Sequence, residues 1–293
     1  MKETENTNVR GGPEVYDEKQ AVDLTPMTES LPSEFNQIAI DDNMYPQNFF
    51  CCCFAPRRNG KTEQILHLCR QFHAQKRFTH YFLISETLSG YEDYIPANYQ
   101  FTNLENVAEI IARMQKVAKY NIGQTEKKDM VKCSCLLILD DVVGNPADLR
   151  KRGGIMQRIA VNGRHVMRDC PLGTNELCTI LISQRITLIP PPIRNNADVI
   201  LASRLASYTE RKTLIENYLS LTSDREGLRE ARRVFDSITL SEPFRFIAIA
   251  THVANRKAHT DYVYYSDANV KAPSVRLHGT EEDWKVKKQD IIF

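Results

Sequence analysis

Net charge is what this sequence has least of: 38 Lys and Arg stand against 37 Asp and Glu in 293 residues, leaving +1 at pH 7 with histidine neutral. A protein that coats nucleic acid over its whole surface needs a basic excess, so any DNA contact here is local and confined to a few loops. Long apolar runs are missing too. No stretch approaches the roughly 18 apolar residues of a membrane span, and Met1 to Arg10 are polar without the apolar core of a secretory leader. The expectation is an intracellular protein with no membrane insertion. There is no internal repeat, and no Asn-Lys-x-Asp sequence to read a guanine base. Cysteine is present in quantity, at eight residues, but three of them are the consecutive Cys51, Cys52 and Cys53. Neighbouring strand residues point to opposite faces, so these are read as small core hydrophobes in a reducing compartment, not as disulfide partners. Cys133-x-Cys135 is not a metal motif by itself.

What is there begins at Phe49. The run Phe49-Phe50-Cys51-Cys52-Cys53-Phe54 reads as a buried strand, Ala55-Pro56-Arg57-Arg58-Asn59-Gly60-Lys61-Thr62 as a turn, and Ile65, Leu68, Cys69 and Phe72 recur at helical spacing behind it. Strand, loop and helix in this order are what a phosphate-binding loop requires: backbone N–H groups turned inward at a helix N-terminus hold a triphosphate tail. Residues 55 to 62 are therefore the candidate nucleotide-binding loop. Lys61 would reach the β- and γ-phosphates and the Thr62 hydroxyl would ligate Mg²⁺. The usual first glycine is replaced by Ala55, which is compatible with the loop if that position needs no positive φ.

Further along, Thr79 to Glu86 reads as a second buried strand and residues 103 to 120 as an amphipathic helix. Cys133 to Leu139 is an apolar strand ending in Asp140-Asp141, the pattern of a Walker B segment. Ligands of an open α/β sheet bind outside the carboxyl ends of its strands, so these acids face the loop's ligand. Asp140 would hold Mg²⁺ and Asp141 would orient or deprotonate the attacking water. Residues 151 to 169 read as a helix, and Cys178 to Ser183 as a strand ending at Gln184, a candidate γ-phosphate sensor. Pro190-Pro191-Pro192 are expected to be stiff and extended, presenting Arg194-Asn195-Asn196 on a rigid arm. Asp198 to Ala202 and Phe244 to Ala250 read as strands, with Tyr262 to Tyr265 pairing at the edge and two charged helices between 207 and 236.

The P-loop, Leu136 to Asp141, Asn162-Gly163-Arg164-His165, Thr179 to Gln184 and Ile193 to Asp198 together resemble the DNA-packaging ATPases of poxviruses and other large eukaryotic DNA viruses, within the FtsK/HerA superfamily. The resemblance covers about residues 45 to 255. It implies an α/β P-loop NTPase core of RecA/FtsK type, with a mostly parallel central sheet flanked by helices. It also implies ATP and Mg²⁺ as cofactors, and a homo-oligomeric ring that drives double-stranded DNA into a preformed capsid through local, sequence-independent contacts. Capsid proteins would be further partners, and host-cell assembly sites or the virion the location. By position, Lys61, Asp140, Asp141 and Gln184 would be catalytic. Arg194 would be the finger donated across the subunit interface, with Arg164 and Arg185 behind it. Arg150-Lys151-Arg152 or Arg229 with Arg232-Arg233 are candidates for the DNA grip. The expected domains are an N-terminal arm over residues 1 to 40, the ATPase domain over 41 to 255, and an edge strand with a polar tail over 256 to 293. Two other readings stand beside this one, a P-loop small-molecule or nucleoside kinase and a nucleotide-dependent assembly switch; the acid pair and Gln184 fit water activation better than either.

Overall fold

Strand β1, Phe50–Phe54, is buried along its whole length because parallel strands flank it on both sides and helices cover both faces. That burial explains why its residues are continuously apolar instead of alternating. The computed structural model describes residues 34–39, 41, 43–87, 90–141, 149, 151, 153–166, 175–268 and 273–286. Among these, β2 (His80–Ser85), β3 (Gln100–Phe101), β4 (Cys133–Asp140), β5 (Asn175–Ser183), β6 (Val199–Ala202), β7 (Arg245–Ala250) and β8 (Val263–Asp267) join β1 in one eight-stranded sheet. Its order is β3-β2-β4-β5-β1-β6-β7-β8. All pairings from β3 across to β6 are parallel; β7 runs antiparallel to both β6 and β8. This is an α/β fold with a mostly parallel sheet.

The helices follow the expected pattern. Helix α1 (Lys61–Ala74) buries Ile65, Leu68, Cys69 and Phe72, and α2 (Asn106–Ile122) buries Val107, Ile110, Ile111 and Met114. Helix α3 (Ile155–Val166) lies between β4 and β5 in sequence. At the amino end of β1, Tyr45, Phe49, Phe72 and Phe78 pack ring against ring. The Arg77 guanidinium lies over the Phe49 and Phe72 faces and pairs with buried Glu176 at 2.6 Å, which ties α1 to β5.

The prolines correct one expectation. Pro190 is extended, but Pro191–Arg194 form a single helical turn, α4, with proline at its first positions. Proline fits there because the first N–H groups of a helix have no intrahelical partner and its fixed φ already suits the turn. Asn195 is not held out on an arm either, since Tyr218 donates to its Oδ1 at 3.0 Å and the adjacent Ile193 is buried. Beyond β6, α5 (Tyr208–Leu214) runs into a π-helical turn (Ile215–Leu219), and α6 (Arg225–Thr239) follows after Asp224 caps it through the Gly227 N–H.

Both ends of the described chain pack on this core. Ile38 donates its N–H to Tyr265 and Asn36 accepts from the Tyr265 N–H, so residues 36 to 38 border β8. Leu277 donates to the Tyr94 carbonyl, and Asn98 to Asp283 at 2.6 Å, so part of the polar tail sits on the loop after β2. Residues 1 to 33 of the expected arm, and Arg150 and Arg152, lie outside the described residues.

Candidate nucleotide-binding site

The carboxyl ends of β1, β4 and β5 come together because these strands are neighbours in register: β5 lies between β1 and β4, pairing Phe54 with Ser183 and Asp140 with Ile182. That order places Gln184 between the loop after β1 and the acids after β4.

The loop turns as phosphate binding demands. Positive φ falls at Arg58 (62°) and Gly60 (74°), and Ala55 is not among the positive-φ residues. The missing first glycine is therefore no obstacle: Ala55 is buried, and its N–H donates to the Ser183 carbonyl at 3.2 Å. Gly60 precedes α1 in the left-handed region, and its carbonyl takes the Gln64 N–H. A side chain at Gly60 would be strained twice, by φ and by Phe244, whose Cδ1 would lie 3.2 Å from an added Cβ. Pro56, Arg57, Arg58 and Asn59 form the turn, with the Asn59 amide bonded back to the Arg57 carbonyl at 3.0 Å. Lys61 and Thr62 open the helix, half-buried.

Asp140 is buried, and its Oδ2 accepts the Tyr91 hydroxyl at 3.0 Å. Burial pushes the carboxyl above its usual range; the Tyr91 hydrogen bond and the Lys61 charge pull it back, while Asp141 pushes it further up. Lys61 and Asp140 are thus electrostatic neighbours across the strand ends. Asp141 sits at φ 54°, a left-handed conformation that Asp tolerates. Its two oxygens accept the Gln184 side-chain amide at 3.3 and 3.0 Å. With every carboxylate oxygen engaged by an amide donor, Asp141 keeps its lone pairs in a fixed direction. Thr62 and Asp140 offer hard oxygen donors, the set that Mg²⁺ takes.

The structure therefore brings Lys61, Thr62, Asp140, Asp141 and Gln184 to the carboxyl end of the sheet's central strands. Arg194 is not brought there. It lies in α4, on the amino side of β6, with Nη1 on the Ile189 carbonyl at 3.3 Å and a buried Nε without a partner. Arg185 adjoins Gln184, 61% exposed and paired with buried Glu210 at 3.3 Å. The Arg164 and His165 side chains lie outside the described ones.

Three residues escape sequence reasoning. Tyr91 lies in an aperiodic stretch with no spacing to mark it. Gly90, at φ 90°, passes so near α1 that an added Cβ would lie 3.3 Å from Thr62 Cγ2. Phe244 looks like the first residue of a strand, but it sits at φ 63° and half-exposed against Gly60. It helps to line a cleft of about 330 Å³ with Asn59, Ser203, Arg204 and Thr239, on the β6–β7 side of the loop. The acids lie on the other side, toward β4.

No protein-family model matches the chain, and no curated protein does either. Solved structures do. The genome packaging NTPase B204 from Sulfolobus turreted icosahedral virus 2, in complex with AMPPCP, is similar with a TM-score of 0.50 and 13% identity over 76% of this chain and 99% of that one. B204, the DNA-packaging ATPase from Sulfolobus Turreted Icosahedral Virus, gives a TM-score of 0.48 and 13% identity over 75% and 98%. The cytoplasmic domain of the Thermomonospora curvata type VII secretion ATPase EccC gives 0.43 and 13% over 75% of this chain and 25% of that one. The likeness at 0.50, with the sheet order and the loop geometry, defines the class: an α/β P-loop NTPase core.

Proposed function

We propose that this protein is an ATP hydrolase that packages double-stranded viral DNA into a preformed capsid, acting as a homo-oligomeric ring of the type found in large DNA viruses. One observation carries the hydrolase reading: Gln184 holds both oxygens of Asp141 beside Lys61 and Asp140. A carboxylate so oriented suits a water molecule aimed at the γ-phosphate, whereas a kinase needs an acceptor pocket in that place.

In this reading the N–H groups of residues 55 to 62 bind the phosphates and Lys61 reaches the outer two. Thr62 and Asp140 hold Mg²⁺, which when bound neutralises charge on the phosphate oxygens. Tyr91 fixes the orientation of Asp140, Asp141 takes the proton of the attacking water, and Gln184 keeps Asp141 in place. Because the acids lie toward β4, the base is directed the other way, into the cleft where Phe244 offers an aromatic face. The packaging role is supported by the shared fold with B204, a packaging NTPase, and by the motif resemblance. For the arginine given across the subunit interface, Arg194 would have to leave the Ile189 carbonyl, and Arg185 is the more exposed candidate.

The test is phosphate release from ATP by the purified full chain, with and without long double-stranded DNA, beside Lys61→Ala. Turnover that rises with DNA and disappears in Lys61→Ala is expected. Turnover indifferent to DNA would remove the motor, and none at all would remove the hydrolase.

A further inference from the structure

Seven cysteines are described, all buried and unpaired, and two of them differ from the rest by having a histidine beside them. Cys133 and Cys135 are two apart in β4, so both side chains leave the same face of the sheet. His80 opens β2, and its backbone is in register with Cys135. A ring nitrogen of His80 and the two sulfurs all lie within 4.8 Å of one another, the one group of three or more potential metal ligands among the described residues.

The surroundings also offer a partner for one nitrogen of His80. The Thr79 hydroxyl donates to the Ser134 carbonyl at 3.0 Å and accepts the Ser134 N–H at 3.1 Å. With its proton on that carbonyl, the 2.9 Å contact between Thr79 Oγ1 and His80 Nδ1 is made by an N–H on the ring. A neutral imidazole protonated at Nδ1 has its free lone pair at Nε2. An acceptor that holds one ring N–H so that the other nitrogen can bind is what stands behind most metal-ligating histidines, and here the Thr79 hydroxyl oxygen is placed to serve as one.

We propose that His80, Cys133 and Cys135 form a binding site for a thiophilic divalent cation of the zinc class, at the end of the sheet opposite the nucleotide. Zn²⁺ takes thiolate sulfur at about 2.3 Å and imidazole nitrogen at about 2.0 Å, which puts ligand atoms roughly 3.5–4 Å apart. Small side-chain rotations close the observed triangle to that size. Binding exchanges the two thiol protons for the dication, so the protons pass to solvent and the site gains no net charge. Beside it stands His278, its ring centroid 6.0 Å from that of His80 and both its nitrogens buried without a partner, so a fourth nitrogen donor is near. The ion would join the starts of β2 and β4. Asp140 is at the far end of β4, about 20 Å away at the rise of an extended strand, so the ion has no part in hydrolysis and its role is structural.

The experiment uses the full chain, purified reduced and metal-free, and titrates it with Co²⁺ alone. Expected are about one cobalt per chain, a thiolate-to-cobalt charge-transfer band, the intense visible bands of a tetrahedral ion, and bleaching of both by Zn²⁺. Cys133→Ser with Cys135→Ser should lose the charge-transfer band completely while nucleotide binding is retained as the measure of folding. If that variant does not fold, the wild-type chain still decides: Zn²⁺ should slow alkylation of Cys133, read by peptide mass, at least about tenfold. Absence of the band, its persistence in the double variant, or alkylation unaffected by Zn²⁺ would each overturn the site.

Discussion

Asp140 is charged in a place that resists charge, and that conflict gives it opposite effects on stability and on activity. Burial raises its carboxyl above the usual value of 3.8 despite the hydrogen bond from Tyr91 and the charge of Lys61. A folded-state pKa above the unfolded one means that the contribution to stability is present at low pH and is lost as pH rises through the raised value. At neutral pH the nucleotide-free protein therefore holds an unfavourable carboxylate. Asp140→Asn, which keeps an acceptor for Tyr91, should raise the melting temperature at pH 7 and raise it less as the pH is lowered toward 4. The same change should cut ATP turnover at least about 100-fold. Thermal unfolding across pH, beside phosphate release, checks both; a lower melting temperature at pH 7 would show that Asp140 is held by its partners and not strained by burial. Asp141 gives a cleaner kinetic case. Asn tolerates its positive φ as well as Asp does, so Asp141→Asn should lower kcat by about 10²- to 10⁴-fold with little change in KM for ATP. An equal loss confined to KM would assign Asp141 to binding instead.

The elements themselves are held by a few buried polar groups that the sequence does not advertise. Glu210 in α5 is almost fully buried, and its carboxylate accepts the Thr187 N–H at 3.1 Å and Arg185 Nε at 3.3 Å, with the Thr187 hydroxyl as a further donor. It clamps the turn that follows Gln184 onto α5. Glu210→Ala should cost about 2 kcal/mol through the lost bonds and the unsatisfied Thr187 N–H, seen as a lower denaturant midpoint, and should weaken turnover by loosening Gln184. Unchanged stability would mean that water replaces the carboxylate. A continuous apolar run is legible wherever both faces of a strand are buried, which is why β1, β4 and β7 lie almost where periodicity puts them. The first residues of β5, Asn175 and Glu176, are illegible because what holds them lies far off in sequence: Asn121 donates to Asn175 Oδ1 and Arg77 pairs with Glu176. The triple proline departs from the extended expectation for a local reason, since proline suits the start of a helix as well as an extended segment. Strand ends carried the site: Lys61, Asp140, Asp141 and Gln184 are adjacent to elements of clear period. Tyr91 and Phe244 owe their places to tertiary packing alone.

Across the whole molecule, the near-zero net charge makes any hold on DNA a matter of one surface. Helix α6 supplies the best defined candidate. Its buried side is Ala231, Val234, Phe235 and Ile238, while Arg225, Arg229, Arg232 and Arg233 are all exposed at the i, i+4, i+7 and i+8 spacing of one helical stripe. Arg232 also borders a groove with Arg211 and Lys212, but these are paired with Asp236 and Glu216, so the free positive charge stays on α6. Glu226 and Glu230 on the same helix limit the stripe. Each phosphate neutralised releases counterions, so the logarithm of affinity falls with the logarithm of salt by roughly 0.9 per contact. Replacing Arg229, Arg232 and Arg233 together by Ala should leave turnover without DNA unchanged, because none of them touches the nucleotide site. It should abolish stimulation by DNA and reduce the salt slope of DNA binding by about 3, near one for each arginine. If stimulation and slope survive intact, the stripe is an ordinary solvated helix face, and the grip must come from the arginines and lysines of other loops, Lys151 among them.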